Sequence, residues 1–247
     1  MTDNRRPIVV FEQVSKAFGE KQVLRDVSFD VKAGEILCIL GRSGTGKSVT
    51  LKLLIALQRP DRGKIWIDDD EITSMNASGL SRVRRKMGFL FQDAALFDDL
   101  TVYENLALPL ARLTGRPRDE IDSAVTNVLK QVGLACDTQK TPAALSGGMR
   151  KRAGLARALI LNPRVLLADE PSSGLDRITA SEIDDLLLRQ RNEKNTTILI
   201  VTHDVHGARK IGDKFAVLDK GRMIAFGTAE EVESSEHEIA RRLISER

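Results

Sequence analysis

The sequence predicts an α/β protein with a mixed β core, an antiparallel β edge and a helical insertion. After Ser146, helix-like and strand-like runs alternate, which favours parallel strands joined by helical crossovers. Short β-like runs crowd the first part of the chain, at residues 8–11, 27–31 and 64–67. Between them, the apolar run 35–40 leads through a glycine-rich loop into a helix-like run at residues 47–57. These observations predict a large α/β unit with a β-rich edge.

A helical insertion separates the two halves of the predicted core. The runs 102–113 and 119–132 carry apolar residues at three- and four-residue spacing, and Gly115 and Pro117 interrupt the pattern. We expect a single domain over residues 1–247, made of a core with its β edge (about 1–92 and 146–228), a helical subdomain (about 93–145) and a short helical tail (about 229–247).

Composition excludes several classes of protein. The 38 Lys and Arg residues against 35 Asp and Glu give a formal net charge of +3, which is too near balance to favour nucleic-acid binding. Cys38 and Cys136 offer neither metal-ligand spacing nor a disulfide framework, which suits a reducing cytoplasm. Residues 1–7 are polar, and no window approaches about 18 consecutive apolar residues. We therefore expect a chain that is neither exported nor membrane-spanning.

The glycine-rich loop has the composition of a nucleotide phosphate site. Gly41, Gly44 and Gly46 lack a β-carbon, so the backbone can take left-handed angles and turn its N–H groups toward phosphate oxygens. Lys47 supplies a cation for the outer phosphates, and the Ser48 hydroxyl is the expected ligand of Mg²⁺. The flanking strand and helix disfavour an ordinary glycine-rich turn. The predicted nucleotide contacts here are Gly41, Arg42, Ser43, Gly44, Thr45, Gly46, Lys47, Ser48 and Val49.

Polar residues follow three further apolar runs. Asp169 and Glu170 end one run, and open parallel sheets place their ligand sites at the carboxyl ends of strands. We expect Asp169 to hold Mg²⁺ through water and Glu170 to be the base that orients or deprotonates the attacking water. His203 ends a second run and is placed to hydrogen-bond the terminal phosphate. Gln92 follows a third run and is placed to contact both Mg²⁺ and the helical insertion.

Each of these residues has a structural alternative: a solvated acidic turn, a structural histidine or an ordinary polar residue at a strand end. The presence of the glycine-rich loop favours the functional interpretation. The predicted catalytic residues are Lys47, Gln92, Glu170 and His203, and the predicted metal ligands are Ser48, Gln92 and Asp169.

The ordered motifs, with Leu-Ser-Gly-Gly-Met at 145–149 and Ser-Gly-Leu-Asp at 173–176, resemble the nucleotide-binding subunit of ATP-binding cassette (ABC) transporters over nearly the whole chain. The resemblance implies the P-loop NTPase fold with a RecA-like core, and ATP and Mg²⁺ as cofactors. It implies a head-to-tail homodimer, in which Asp176 communicates across the interface. Phe18 matches the family's adenine-stacking aromatic residue, with core packing as the alternative. The residues expected to close over ATP held by the other chain are Ser146, Gly147 and Gly148.

Finer features resemble the MlaF-type ATPases of MCE lipid transporters. They are the segments 90–97 and 100–105, and Met149 in place of the usual glutamine. The resemblance implies an integral membrane permease and an MCE-domain lipid-binding protein as partners, with no nucleic acid. It implies phospholipid or another hydrophobic cargo, and a peripheral location on the cytoplasmic face of the inner membrane. Four apolar residues are expected to form a groove for the permease, or alternatively to be core of the insertion: Phe91, Leu96, Phe97 and Val102.

Three alternatives stay open. The cargo could be an amino acid or a drug, because the membrane partner selects it. A soluble ABC ATPase acting on nucleic acid or ribosomes typically carries a second cassette or a long coiled coil, and the sequence has neither pattern. A nucleotide-binding subunit without turnover would be expected to lack Glu170 or His203, and both are present.

Overall fold

The computed structural model describes residues 7–245, so the polar residues 1–6 and the last two positions of the predicted domain lie outside it. Its strands are β1 (Pro7–Phe18), β2 (Lys21–Lys32), β3 (Ile36–Gly41), β4 (Arg62–Ile67), β5 (Asp70–Glu71), β6 (Met87–Leu90), β7 (Val165–Asp169), β8 (Thr197–Val201), β9 (Lys214–Asp219) and β10 (Arg222–Gly227). Its helices are α1 (Lys47–Leu54), α2 (Ala77–Arg84), α3 (Val102–Leu113), α4 (Arg118–Gln131), α5 (Gly147–Leu159), α6 (Arg177–Lys194), α7 (Val205–Ile211), α8 (Ala229–Glu233) and α9 (Glu238–Ser245), with a 3₁₀ turn at Pro142–Ala144.

Two sheets organise the molecule. The smaller sheet has the strand order β2-β1-β4-β5 and is antiparallel throughout. The larger sheet has the order β10-β9-β3-β8-β7-β6, in which the strands from β9 to β6 run parallel. Strand β10 pairs antiparallel with β9 and makes this sheet mixed. The predicted α/β class with a mixed sheet and an antiparallel β edge is confirmed.

The central strands of the larger sheet are covered on both faces, which is why their sequences are almost continuously apolar. In β3, Ile36, Cys38 and Leu40 belong to one core, whereas Leu37 and Ile39 belong to the other. The first core contains α5, α6 and the helices between β6 and β7. The second contains α1 and lies between the two sheets. Because β3, β6, β7 and β8 pair in parallel, their carboxyl ends lie at one edge of this sheet.

The segment between β6 and β7 is helical, as the sequence predicts. Thr101 begins α3 with a capping box, since its hydroxyl accepts from the Glu104 N–H and the Glu104 carboxylate accepts from the Thr101 N–H. Helices α3 and α4 and the 3₁₀ turn all lie within residues 93–145. The boundaries of a helical subdomain stay a prediction. Among residues 7–245, no helix combines the length and apolar character of a membrane span.

The structure differs from the sequence prediction at the end of α1 and at α2. Helix α1 ends at Leu54 rather than 57 because Ala56 takes a left-handed φ of 56°. The N–H of Leu57 then donates to the Lys52 carbonyl, which closes the helix end. For α2, the sequence predicts only a solvated helix face at residues 82–86, without the start of the helix. It begins at Asn76, whose side chain accepts from the Gly79 N–H.

Candidate active site

The predicted site residues gather at the carboxyl edge of the larger sheet, where parallel sheets place their ligands. The glycine-rich loop joins β3 to α1, Asp169 ends β7, and His203 and Gln92 follow β8 and β6. A cleft of about 670 Å³ opens at this edge. The predicted residues that line it are Phe18, Ser43, Gly44, Gly46, Lys47, Ser48, Val49, Gln92, Glu170 and His203.

Glycine is required in the loop for two different reasons. Gly46 has a φ of 106°, and a Cβ there would lie 2.6 Å from Leu24 Cδ2, so the loop presses against the antiparallel sheet. Gly44 has a φ of 79° but no atom within 4 Å of its Cβ position, which leaves its outer side open to the cleft. Thr45 stabilises the turn, because its hydroxyl donates to the Arg42 carbonyl over 2.9 Å. The loop is therefore closed toward the protein and open toward a ligand.

Lys47 folds back over this loop. Its side chain is buried, and Nζ donates to the carbonyls of Gly41 over 2.7 Å and Arg42 over 3.2 Å. Burial lowers the pKa of Lys47, and the carboxylates of Glu170 and Asp169 oppose that shift. The loop thus holds a cation at its centre, where it can exchange carbonyl oxygens for phosphate oxygens.

Ser48 and Asp169 place two hard oxygen donors side by side. The Ser48 hydroxyl donates to Asp169 Oδ1 over 2.9 Å. Burial raises the pKa of Asp169, while the Ser48 hydrogen bond lowers it. Thr50 is turned away, since its hydroxyl donates to the Gly46 carbonyl. A hydroxyl and a carboxylate beside a phosphate loop fit Mg²⁺, which takes one or two protein oxygens together with phosphate oxygens.

Glu170 and His203 form a hydrogen-bonded pair in the same cleft. Glu170 Oε2 lies 2.8 Å from His203 Nδ1, and it also accepts from the Thr202 hydroxyl over 3.3 Å. The Glu170 side chain is 12% exposed and that of His203 is 71% exposed. Glu170 has a left-handed φ of 49°, which few residues other than glycine adopt. The carboxylate is enclosed and oriented while the imidazole reaches into open space.

Phe18 is exposed at the mouth of the cleft, so core packing does not describe it. Its side chain is 45% exposed, and the Lys16 ammonium lies 5.3 Å from the ring centroid. Lys21 and Val23 also line the cleft, and the sequence prediction missed them. Both lie just beyond the tight turn that joins β1 to β2, so a hairpin prediction would have brought them beside Phe18.

Ser146, Gly147, Gly148 and Asp176 do not line this cleft. The Ser146 hydroxyl begins α5 by accepting from the Met149 N–H over 3.2 Å. Asp176 begins α6 in the same way, and the hydrogen bonds it accepts lower the pKa of its carboxyl group. The two helix starts are neighbours, since a Cβ on Gly148 would lie 2.6 Å from the Thr179 methyl group of α6. Contact with nucleotide on a second chain stays a prediction for these residues.

Two further residues of the site escaped sequence reasoning. Thr202 contacts the Glu170 carboxylate and, through its hydroxyl, accepts from the Asp204 N–H. Lys151 donates to the main-chain carbonyls of Gln92 and Glu170. In the sequence, Lys151 is one of several basic residues of a helix, and nothing in its spacing marks it.

Comparison with known proteins assigns the family. A family model described as ABC transporter matches residues 24–173. The chain belongs to the ABC transporter family. A dimeric ATP-binding cassette of this kind, in a post-hydrolysis state bound to ADP and Pi, is 33% identical and superimposes with a TM-score of 0.83 over 89% of this chain and 98% of the cassette. The cassette cbiO1 from Clostridium perfringens, part of the ABC transporter complex cbiONQ, is 32% identical, with a TM-score of 0.84 over 96% of this chain and 94% of that one.

Curated relatives are longer than this chain. The probable ribonucleotide transport ATP-binding protein mkl of Mycobacterium leprae is 43% identical over 99% of the chain and 72% of the relative. The protein of the same name from Mycobacterium tuberculosis is 42% identical over 95% of the chain but only 65% of the relative. The methionine import ATP-binding protein MetN of Caulobacter vibrioides is 40% identical over 91% of the chain and 68% of the relative. This ABC transporter protein is thus an ATPase that uses ATP and Mg²⁺. It is also the ATP-binding subunit of a transport system.

Proposed function

We propose that this ABC ATPase powers the movement of phospholipid or another hydrophobic molecule across a bacterial envelope. It would work as a homodimer on the cytoplasmic face of the inner membrane, with an integral membrane permease and an MCE-domain lipid-binding protein. The catalytic part of the proposal is carried by one observation: the Glu170–His203 pair and the phosphate loop line the same cleft. The lipid cargo is supported by the MlaF-like segments 90–97 and 100–105 and by Met149.

In the proposed mechanism, the loop N–H groups and Lys47 bind the phosphates of ATP. Ser48, Asp169 and Gln92 would hold Mg²⁺, which would neutralise charge on the outer phosphates. Glu170 accepts a proton from the attacking water, and its hydrogen bond to His203 keeps the carboxylate facing the cleft. Phe18, already exposed at the mouth, stacks on the adenine ring.

Ser146, Gly147 and Gly148 of a second chain complete the site in this proposal. They lie away from the chain's own cleft, at the exposed start of α5, whose main-chain N–H groups favour an anion. Asp176 starts the neighbouring helix and reaches the same interface. An isolated monomer therefore lacks donors to the outer phosphates and hydrolyses ATP slowly.

The permease contact would use the exposed end of the segment after Gln92. Phe97 is 54% exposed and the Arg157 guanidinium lies 6.0 Å from its ring centroid. Val102, in contrast, is fully buried in the first core, so it belongs to the core of the insertion and is not part of the proposed groove. The remaining apolar surface is formed by Phe91, Leu96 and Phe97.

Substitution of Glu170 tests the catalytic part. Glu170→Gln keeps the shape of the side chain but removes the base, so we expect turnover to fall by about 100-fold or more while ATP binding is retained. Glu120→Gln, at an exposed position of α4, is the matched control and should keep full turnover. Wild-type turnover in the Glu170→Gln variant would contradict the assignment.

Purification from native membranes tests the cargo. The tagged protein is isolated in mild detergent, and the proteins and lipids that accompany it are identified by mass spectrometry. A permease, an MCE-domain protein and phospholipid are the expected companions. A methionine-type permease instead would favour amino-acid import, the function for which the MetN relative is named. Ribosomes or DNA would overturn the transport role.

A further inference from the structure

Lys151 is a buried cation that the proposed mechanism does not use. It lies in the second turn of α5 and is 7% exposed, which is rare for lysine unless the ammonium group is paired. Within residues 7–245, its hydrogen-bond acceptors are two main-chain carbonyls and a hydroxyl, and none is a carboxylate. Nζ donates instead to the Gln92 carbonyl over 2.5 Å, to the Glu170 carbonyl over 2.7 Å and to Ser173 Oγ over 3.3 Å.

These three acceptors use the full donor capacity of the ammonium group. A lysine has three N–H donors and no acceptor, so a group that makes three bonds cannot satisfy a fourth partner. Burial lowers the pKa of Lys151, and the nearby carboxylates of Asp93, Glu170 and Asp169 oppose the shift. Lys151 is therefore committed to two main-chain segments, one after β6 and one after β7.

The segment after β7 needs this support because Glu170 is strained. Its φ of 49° is a left-handed value that is unfavourable for a residue with a side chain. The Glu170 N–H donates to the Val201 carbonyl over 2.8 Å, and its carbonyl accepts from both Lys151 and the Ser173 hydroxyl. The bonds to this peptide hold the turn that aims the carboxylate at His203.

The segment after β6 is held by the same face of α5. One turn beyond Lys151, Gly154 packs so closely on Ala94 that a Cβ would lie 2.7 Å from its methyl group. A further turn on, Arg157 donates to the carbonyls of Ala94 and Ala95, which both have a positive φ. Lys151, Gly154 and Arg157 are three residues apart and lie on one side of the helix. Only Lys151 also reaches Glu170.

We propose that Lys151 is a positioning residue for ATP hydrolysis, whose ammonium group fixes the main chain of Gln92 relative to that of Glu170. The side chains expected to contact Mg²⁺ and the attacking water are thereby set by the helix that starts at Ser146. The proposal rests on the roles proposed above for Gln92 and Glu170. Lys151 itself faces the main chain and touches neither nucleotide nor water in the reaction.

Lys151→Met tests this role, because it keeps the length and apolar stem and removes every donor. We expect kcat to fall about 10- to 100-fold, since small displacements of reacting groups cost that much, while KM for ATP changes less than about threefold. Hydrogen exchange measured by mass spectrometry should become faster at residues 92–95 and 170–174 without nucleotide. Lys151→Gln keeps two N–H donors and should lie between the wild type and the Met variant.

Lys130→Met is the matched control, because Lys130 is an exposed lysine of α4. It should change neither kinetics nor exchange. Wild-type kcat in Lys151→Met, or a fall in kcat matched by an equal loss of ATP binding, would overturn the proposal. If the Met variant fails to fold, the same test is applied to Lys151→Gln. Wild-type kcat and hydrogen exchange in that variant would overturn the proposal.

A parallel Glu170→Gln measurement separates the two proposals. Full activity in Glu170→Gln would overturn the proposed role of Glu170, whatever Lys151 does. Loss of activity there, combined with normal kcat and exchange in Lys151→Met, would overturn the role of Lys151 alone.

Discussion

Gly147 and Gly148 are neighbours in sequence but have different surroundings. A Cβ on Gly147 meets no atom within 4 Å, whereas one on Gly148 would lie 2.6 Å from Thr179 Cγ2. Gly147→Ala should therefore leave the free energy of unfolding within about 0.5 kcal/mol of wild type and lower ATPase turnover about tenfold, because its methyl group would face the second chain's nucleotide.

Gly148→Ala should instead destabilise the monomer by about 1 to 3 kcal/mol, because the Thr179 side chain must move or α6 must shift to make room. Urea unfolding of the two variants, together with their turnover at saturating ATP, measures both effects. Equal losses of stability in the two variants would contradict the difference in surroundings.

Asp184 makes the stability of the fold depend on pH. This carboxyl group lies buried in α6, and burial raises its pKa to about 6, against the weaker opposing effect of Lys210. Because the folded protein binds this proton more tightly than the unfolded chain, the stability it contributes falls as pH rises from about 4 to about 6 and stays low above that range.

Asp184→Asn removes the titration. We expect the variant to gain stability relative to wild type between pH 5 and pH 8, by on the order of 2 kcal/mol. Urea unfolding at several pH values measures the gain. Asp98→Asn, at an exposed position, is the control and should run parallel to wild type. A pH-independent difference between Asp184→Asn and wild type would show that the group does not titrate there.

At the scale of the elements, the side-chain amide of one buried residue holds the loop before α3 against that helix. Asn105 is fully buried, its Oδ1 accepts from the Phe97 N–H, and its two Nδ2 N–H groups are shared among the carbonyls of Phe97, Leu100 and Thr101. Asn105→Ala leaves these groups without their partner and should cost on the order of 3 kcal/mol of unfolding free energy.

Thr101→Ala removes only the exposed cap of the same helix and should cost about 1 kcal/mol. Chemical denaturation of both variants makes the comparison. If Asn105→Ala costs no more than Thr101→Ala, the loop before α3 does not depend on the buried amide.

Strands that are buried on both faces could be predicted from the sequence, because their residues are continuously apolar. Strands β3, β7 and β8 are continuously apolar because helices and the second sheet cover them. Helix α2 was predicted only as a solvated helix face at residues 82–86, since only Leu80 and Val83 are buried in it. Strands β1 and β2 each run to twelve residues, well beyond the predicted runs, because their pairing with each other extends past the apolar residues.

Site residues could be predicted where their pattern in the sequence is specific to one chemical role. They could not be predicted where the same residue types serve many roles. A glycine-rich loop followed by lysine and serine is informative by composition, and most of its residues line one cleft. Lys151 and Thr202 carry common side chains, and only the tertiary structure brings them to Gln92 and Glu170. Contacts between segments about 60 residues apart, such as Lys151 and Gln92, leave no local pattern in one sequence.

At the level of the assembled protein, the proposed head-to-tail dimer predicts rescue between two inactive variants. Lys47→Ala damages the phosphate loop of its own chain, and Gly147→Arg damages only the site on the partner, since the position is open. A mixed dimer then has one site with both defects and one site with neither. Random mixing should restore about a quarter of wild-type ATPase activity, because half of the dimers are mixed and one of their two sites is intact.

The measurement is the ATPase rate of an equimolar mixture, compared with each variant alone at the same total concentration. Tagging the two variants differently allows mixed dimers to be isolated and assayed directly. Isolated mixed dimers no more active than either variant would contradict sites shared between two chains, because each chain would then hold all the groups that it needs. Recovery near a quarter would support the proposed action of Gly147 on the nucleotide of the partner, which agrees with its position outside the cleft of its own chain.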